Sequence, residues 1–162
     1  MSKIQVTNIN DLSDNASLIT QSGGIKSDKL TGVTTAGSIS VTGEGNSTTT
    51  NLQQGLCKMW IHFDGNTGND IRDSFNVSSA ADTGTGRYRY TFSNNMSNFY
   101  YSYSVGIGGS SDTSGDENYG STGATNSANG FTTSTLYTRS RRYDANNYDL
   151  DSDTRQIFGD LA

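Results

Sequence analysis

Tyr88, Tyr90 and Phe92 stand at every second position, and Phe99, Tyr101, Tyr103, Val105 and Ile107 repeat that pattern shortly afterwards. A strand turns alternate side chains to opposite faces, whereas a helix of the same residues would scatter them around its axis. The two stripes therefore commit this part of the chain to β-structure. Met59, Ile61 and Phe63, alternating with Trp60 and His62, predict an earlier strand. Ile71, Phe75 and Val77 predict a second, less regular one. Phe131, Leu136 and Tyr137 mark a further strand, and Thr154 to Phe158 a last. Asp64-Gly65-Asn66, Thr83-Gly84-Thr85-Gly86 and Asn94-Asn95 are turn signals between them. Thr83 to Ile107 reads as one hairpin, and residues 108–130, nearly all Gly, Ser, Thr, Asn and Asp, as a long loop. Many short strands joined by such turns predict an all-β fold, with an antiparallel β-sandwich-like domain over residues 57–162.

Residues 1–56 differ. They are polar, with isolated aliphatic pairs such as Ile4 with Val6 and Ile39 with Val41, and glycines at 23, 24, 32, 37, 43 and 45. Too few apolar groups are present to offset the entropy of ordering such a segment on its own. An extended N-terminal arm is expected, lying on a partner or intertwined with other copies. Thr50 as N-cap with Gln53 three residues on forms a capping-box pattern. Leu52, Leu56, Met59 and Trp60 follow at roughly helical spacing, which predicts a short helical neck.

Only 31% of the residues are hydrophobic, yet 10% are aromatic, with nine Tyr, six Phe and one Trp. Disordered chains are poor in aromatics, so this balance points to thin β-structure that gains burial by oligomerising. Association between copies is expected. Trp60, Phe75, Tyr88, Tyr90, Phe92, Phe99, Tyr101, Tyr103 and Phe158 are the expected core or subunit-interface residues. The net charge of −5 disfavours nucleic acid as a partner, since phosphate recognition needs a basic stripe. Arg139, Arg141 and Arg142 are the one basic cluster, and Asp144, Asp149, Asp151 and Asp153 follow closely. Together they read as a solvated, self-neutralising loop. The single cysteine, Cys57, excludes an intrachain disulfide framework and is expected to pack as a small apolar residue. The start Met1-Ser2-Lys3-Ile4-Gln5 has no apolar signal segment, and no run reaches membrane-spanning length. Synthesis in a cytoplasm without membrane insertion is the expectation.

One stretch carries a wider resemblance. Ser38 to Leu56 leads into Lys58-Met59-Trp60-Ile61-His62-Phe63-Asp64-Gly65, then Ile71-Arg72-Asp73-Ser74-Phe75-Asn76-Val77-Ser78-Ser79, then Gly84-Thr85-Gly86-Arg87-Tyr88. This resembles small tail-fibre-like virion proteins of marine and cyanobacterial phages: an apolar-aromatic strand ending in Asp-Gly, an Arg-x-Ser-Phe-Asn-Val strand, and a Gly-x-Gly-x-Tyr hairpin. The closing Ile157-Phe158-Gly159-Asp160-Leu161-Ala162 is similar to that family's C-terminal strand and tail. The segments Asn98–Ile107 and 137–153 depart from the family pattern. The resemblance implies a trimeric virion component, with residues 1–56 docking on other virion proteins, and it brings no catalytic residue. A tail fibre mediating particle attachment or host-surface adhesion is the leading expectation, and a capsid-attached decoration or knob protein the alternative.

Three constellations could carry chemistry. Asp149, Asp151 and Asp153 imitate the start of a calcium loop, but the sixth position, where the motif needs glycine, is Thr154, and Arg155 and Gln156 follow it. No metal or other cofactor is expected. Tyr119, Tyr143 and Tyr148 lie among polar residues and are candidates for surface contact with a host glycan. His62 is the sole histidine, which leaves a catalytic triad without an obvious second member. A glycan-degrading enzyme would need paired acids across a groove, and no pair is fixed by the sequence.

Overall fold

The computed structural model describes residues 29–30, 39–43, 45, 47–108, 119–122, 130–142 and 146–162. By internal contacts the chain divides into Met1–Thr31 and Gly32–Ala162. Lys29 and Leu30, the described residues of the first unit, are exposed. Ile4 and Val6, expected as a strand pair, lie outside the described residues. The account below concerns the second unit.

It opens with a two-stranded antiparallel hairpin, β1 (Ser40–Thr42) and β2 (Thr49–Asn51), in which Val41 pairs with Thr50. A single helical turn, α1 (Leu52–Gly55), follows. Its N-cap is Asn51, not Thr50: the Asn51 carboxamide oxygen accepts from the amides of Gln53 at 2.8 Å and Gln54 at 3.2 Å. Thr50 is held in β2 instead, and Met59 and Trp60, expected at helical spacing, begin a strand.

Eight strands then build two four-stranded sheets. They are β3 (Met59–Asp64), β4 (Asp70–Phe75), β5 (Val77–Gly84), β6 (Arg87–Phe92), β7 (Ser102–Gly108), β8 (Tyr119–Thr122), β9 (Thr135–Arg142) and β10 (Ser152–Phe158). The first sheet runs β4-β3-β10-β7 and the second β5-β6-β9-β8, with every pairing antiparallel. The fold is a β-sandwich, and it departs from the sequence reading at three places. Ile71, Phe75 and Val77 do not share a strand. Asn76 between them takes the left-handed conformation at φ 58°, which asparagine tolerates. Its carboxamide nitrogen donates to Lys58 O at 3.0 Å and Asn94 O at 3.1 Å, while its oxygen accepts from the Asn94 amide at 2.7 Å. The chain changes sheet at this corner. Thr83 to Ile107 is not one hairpin either: β6 pairs with β5 and β9, and β7 joins the opposite sheet beside β10. Within 108–130, Tyr119–Thr122 forms a strand on β9.

The turn between β5 and β6 shows why its glycine is needed. Gly86 has φ 63°, and a Cβ there would fall 2.5–2.8 Å from the backbone of Ser140 and Tyr148. A second glycine, Gly65, sits against the Tyr88 ring, 2.4 Å from where its Cβ would be.

Alternation puts Met59, Ile61, Phe63 and Ile157 of the first sheet against Tyr88, Tyr90, Phe92 and Leu136 of the second, with Met96 and Tyr101 completing the cluster. Phe63 meets Tyr88 and Tyr90 edge-on, at centroid distances of 5.3 and 5.7 Å. Such pairs add about 0.5–1.5 kcal/mol each beyond area burial. Tyr103 packs partly buried against the cluster, Trp60 and Phe158 are half-buried, and Phe75 and Phe99 are half exposed. Among the described residues, no helix is long and apolar enough to cross a membrane.

The interior is not wholly apolar. Asp153 and Arg155 occupy inward positions of β10, both fully buried, with Arg155 Nη2 2.7 Å from Asp153 Oδ1. The Tyr90 hydroxyl crosses from the other sheet to donate to Asp153 Oδ2 at 2.5 Å. The expected solvated Arg/Asp loop is thereby corrected: Asp153 is a core residue, and Arg139 and Arg141 are half-buried in β9. Removing one member of a buried pair strands the other charge, at a cost of about 3–5 kcal/mol. Urea unfolding of Asp153→Ala should show a loss of that size, and Tyr90→Phe about 1–3 kcal/mol for the unsatisfied acceptor. Replacing both charges, as Asp153→Leu with Arg155→Met, should cost less than Asp153→Ala alone. The reverse order would mean that Arg155 is not held by this pair.

Candidate functional site

One end of the sandwich gathers segments from both ends of the described domain. The α1 turn carries the chain toward β3, where the Lys58 amide donates to Ile157 O at 2.8 Å. The Lys58 ammonium donates to Gln53 O, and the Gln54 carboxamide donates to Asp160 Oδ1. The C-terminal residues are tied to the same end: the Ser97 amide donates to Asp160 O at 2.8 Å, the Ala162 amide to Asn95 O at 2.9 Å, and Met96 bridges Leu161. Between these segments opens a cleft of about 800 Å³, with Leu56, Cys57, Phe75, Ser97 and Leu161 in its lining.

The lining sets large apolar side chains among polar ones, Asn51, Gln53, Gln54, Lys58, Ser97 and Asp160. Leu56 is 52% exposed, Phe75 51% and Leu161 40%. Phe99 and Tyr100 follow Ser97 closely in the chain, exposed at 50% and 81%, with their rings 4.3 Å apart. Polar chains of this size rarely leave such side chains in water without a contact to make. Cys57 is not a plain apolar filler: half-buried at the cleft, its thiol donates to Met59 O at 2.9 Å.

The second notable surface is the outer face of the β4-β3-β10-β7 sheet. In register across it lie Phe75, Trp60, Gln156 and Ser104, and beside them Asp73, His62, Thr154 and Gly106. Ser152 Oγ is 2.9 Å from His62 Nε2, a partner the sequence did not suggest because the two are far apart in the chain. Arg72 Nη1 reaches the same nitrogen at 3.3 Å, and Arg72 Nη2 pairs with Asp64 at 2.8 Å. Among the described residues no carboxylate bonds the ring. The arrangement suits a fixed surface network better than a nucleophile and its base. Asp64 itself is held well below the usual carboxylate range, chiefly by the Thr67 amide, against the opposing pull of its burial and with further help from the Thr67 hydroxyl, the Asn66 amide and Arg72.

The three carboxylates that imitate a calcium loop are directed apart. Asp149 accepts from the Gly86 amide at 2.6 Å, Asp151 from the Asn66 carboxamide at 2.7 Å, and Asp153 belongs to the core. Among the described residues no three metal-ligating side chains converge. Of the candidate contact tyrosines, Tyr148 is half-buried, its amide donating to Ser140 O at 3.2 Å under the β5–β6 turn. The Tyr119 side chain and the whole of Tyr143 lie outside the described residues.

Three tyrosines have their hydroxyls in the interior. Burial raises Tyr88, Tyr90 and Tyr101 above the ordinary phenol value, Tyr101 to about 12, and the Asp153 charge pushes Tyr90 up further. Their neutral forms favour the fold, so this stability is complete below about pH 10 and is lost as pH climbs through the raised values, because the unfolded chain releases phenol protons first. A phenolate absorbance titration should show these three ionising only together with loss of near-ultraviolet circular dichroism. Ionisation of all nine tyrosines near pH 10 in a folded protein would contradict it.

No protein-family model, curated protein or solved structure matches this chain.

Proposed function

We propose that the protein is a structural subunit of a bacteriophage particle, tail-fibre-like, that assembles through the apolar end of its sandwich and serves attachment without catalysing a reaction. The observation that carries this reading is the gathering of exposed Leu56, Phe75 and Leu161 around one cleft, beside α1 and the C-terminal residues. Burying such side chains contributes about 25 cal/mol per Å² of apolar surface, and a symmetric assembly buries each copy's patch against its neighbours. Three copies joined at this end would leave the rest of each sandwich projecting. Multivalency then makes weak single contacts with a host surface strong. The sequence resemblance to small phage fibre proteins supports the same reading.

Light scattering of the full-length protein at micromolar concentration should give three times the protomer mass of 17.3 kDa. The double variant Leu56→Asp with Phe75→Asp should fall to the protomer mass while keeping the β circular-dichroism spectrum. Mass spectrometry of purified particles should find the chain in the virion. A wild-type protein that stays at protomer mass would sink the assembly reading.

A further inference from the structure

Trp60 is the chain's single tryptophan, and it stands on the outer face of the central strand β3, not in the core. Its neighbours across the sheet are Phe75 on one side and Gln156 on the other, with Ser104 beyond. His62, Thr154 and Ser152 continue the same face. Phe75, Gln156 and Ser104 are exposed, and Trp60, His62, Thr154 and Ser152 half-buried, so this face is reached by water. The Ser104 hydroxyl donates to Gln156 Oε1 at 3.4 Å, and Gln156 stands opposite Trp60 in register.

We infer that this face, centred on Trp60 and Gln156, binds a neutral saccharide. The inference rests on the attachment reading and names the ligand class for it. A sugar ring has a weakly polar face of C–H groups and a rim of hydroxyls. The C–H face stacks on an aromatic π-system, whose face is electron-rich. The hydroxyl rim requires neighbours that both donate and accept, which carboxamide and hydroxyl side chains do. Trp60 supplies the first, and Gln156, Ser104 and Thr154 supply the second.

Charge narrows the class. Asp73 lies in this face opposite His62, and the nearest cation, Arg72, is already engaged with Asp64. The whole chain carries −5. An acidic glycan would meet the Asp73 carboxylate in this face, so the ligand is an uncharged one. Of the residues that the sequence put forward for sugar contact, Tyr148 lies under the β5–β6 turn and is not part of this surface, and the Tyr119 side chain and Tyr143 lie outside the described residues.

Because Trp60 is the single tryptophan, emission excited beyond the tyrosine absorption band reports on this face. Titration of the full-length protein with neutral hexasaccharides of glucose, mannose and galactose should give a saturable emission change with at least one, and none with oligogalacturonate. Calorimetry should show that Trp60→Ala removes the binding and that Gln156→Ala weakens it about tenfold, or 1.4 kcal/mol. Both variants should keep the wild-type melting temperature and solution mass. No response to any neutral probe overturns the inference, as does equal binding of oligogalacturonate. A fall in solution mass for Trp60→Ala also overturns it, by making this face a subunit contact. If wild type is trimeric but binds no sugar, the saccharide inference fails while the assembly reading stands. Sugar binding by a lone protomer has the reverse meaning.

Discussion

Asp153 and Arg155 sit inside a sandwich whose apolar content is low, and the fold's uniqueness rests on how they are satisfied. Both belong to β10, a central strand of the first sheet, and Tyr90 reaches Asp153 from β6 of the second. A buried charge pair returns little net energy against an apolar replacement, but a wrongly placed one costs several kcal/mol. Slipping β10 by one residue against β3 would turn Asp153, Arg155 and Ile157 to solvent and bring Thr154 and Gln156 inward. It would also leave the Tyr90 hydroxyl without its acceptor. In a core this thin, aliphatic packing alone discriminates poorly between registers. The ion pair and its tyrosine make the discrimination steep.

The same network explains the limits of what the sequence shows. Period-two alternation depends only on neighbours along the chain, so strands and their inward faces were legible: Met59, Ile61 and Phe63 in β3, and Tyr88, Tyr90 and Phe92 in β6, are buried as the pattern requires. Strand partners depend on corners instead. Asn76, with its left-handed backbone and four side-chain bonds, transfers the chain between sheets, and nothing in Phe75-Asn76-Val77 distinguishes that from a simple continuation. The stripe ending at Ile107 predicted a strand correctly and its partner wrongly for the same reason. Asp153 and Arg155 were hidden by composition, since a charge beside other charges reads as solvated unless the partner across the core is known.

The candidate surfaces were less legible still. Trp60 and Phe75 are large aromatics, and size alone suggests burial. Their exposure follows from parity: with Met59 and Ile61 turned inward, Trp60 must face outward, and Phe75 pairs with it across the sheet. The His62–Ser152 contact joins residues ninety apart in the chain, so spacing could not reveal it. Capping was misplaced by one residue because Thr50 and Asn51 are both good N-caps, and β2 pairing claims Thr50 first.

The two surfaces differ in the kind of partner they favour. At the end cleft, Leu56, Phe75 and Leu161 offer area but few free polar groups, since Lys58 and Gln54 are already bonded to Gln53 and Asp160. Such a surface gains by excluding water over a broad contact, which another protein surface provides. The outer face offers one indole among amides and hydroxyls, too polar to be covered without many matched hydrogen bonds. It gains from a small ligand that brings its own donors and acceptors. Phe75 borders both, lining the cleft and pairing with Trp60, so a contact made at the end would stiffen the strand edge beside the indole.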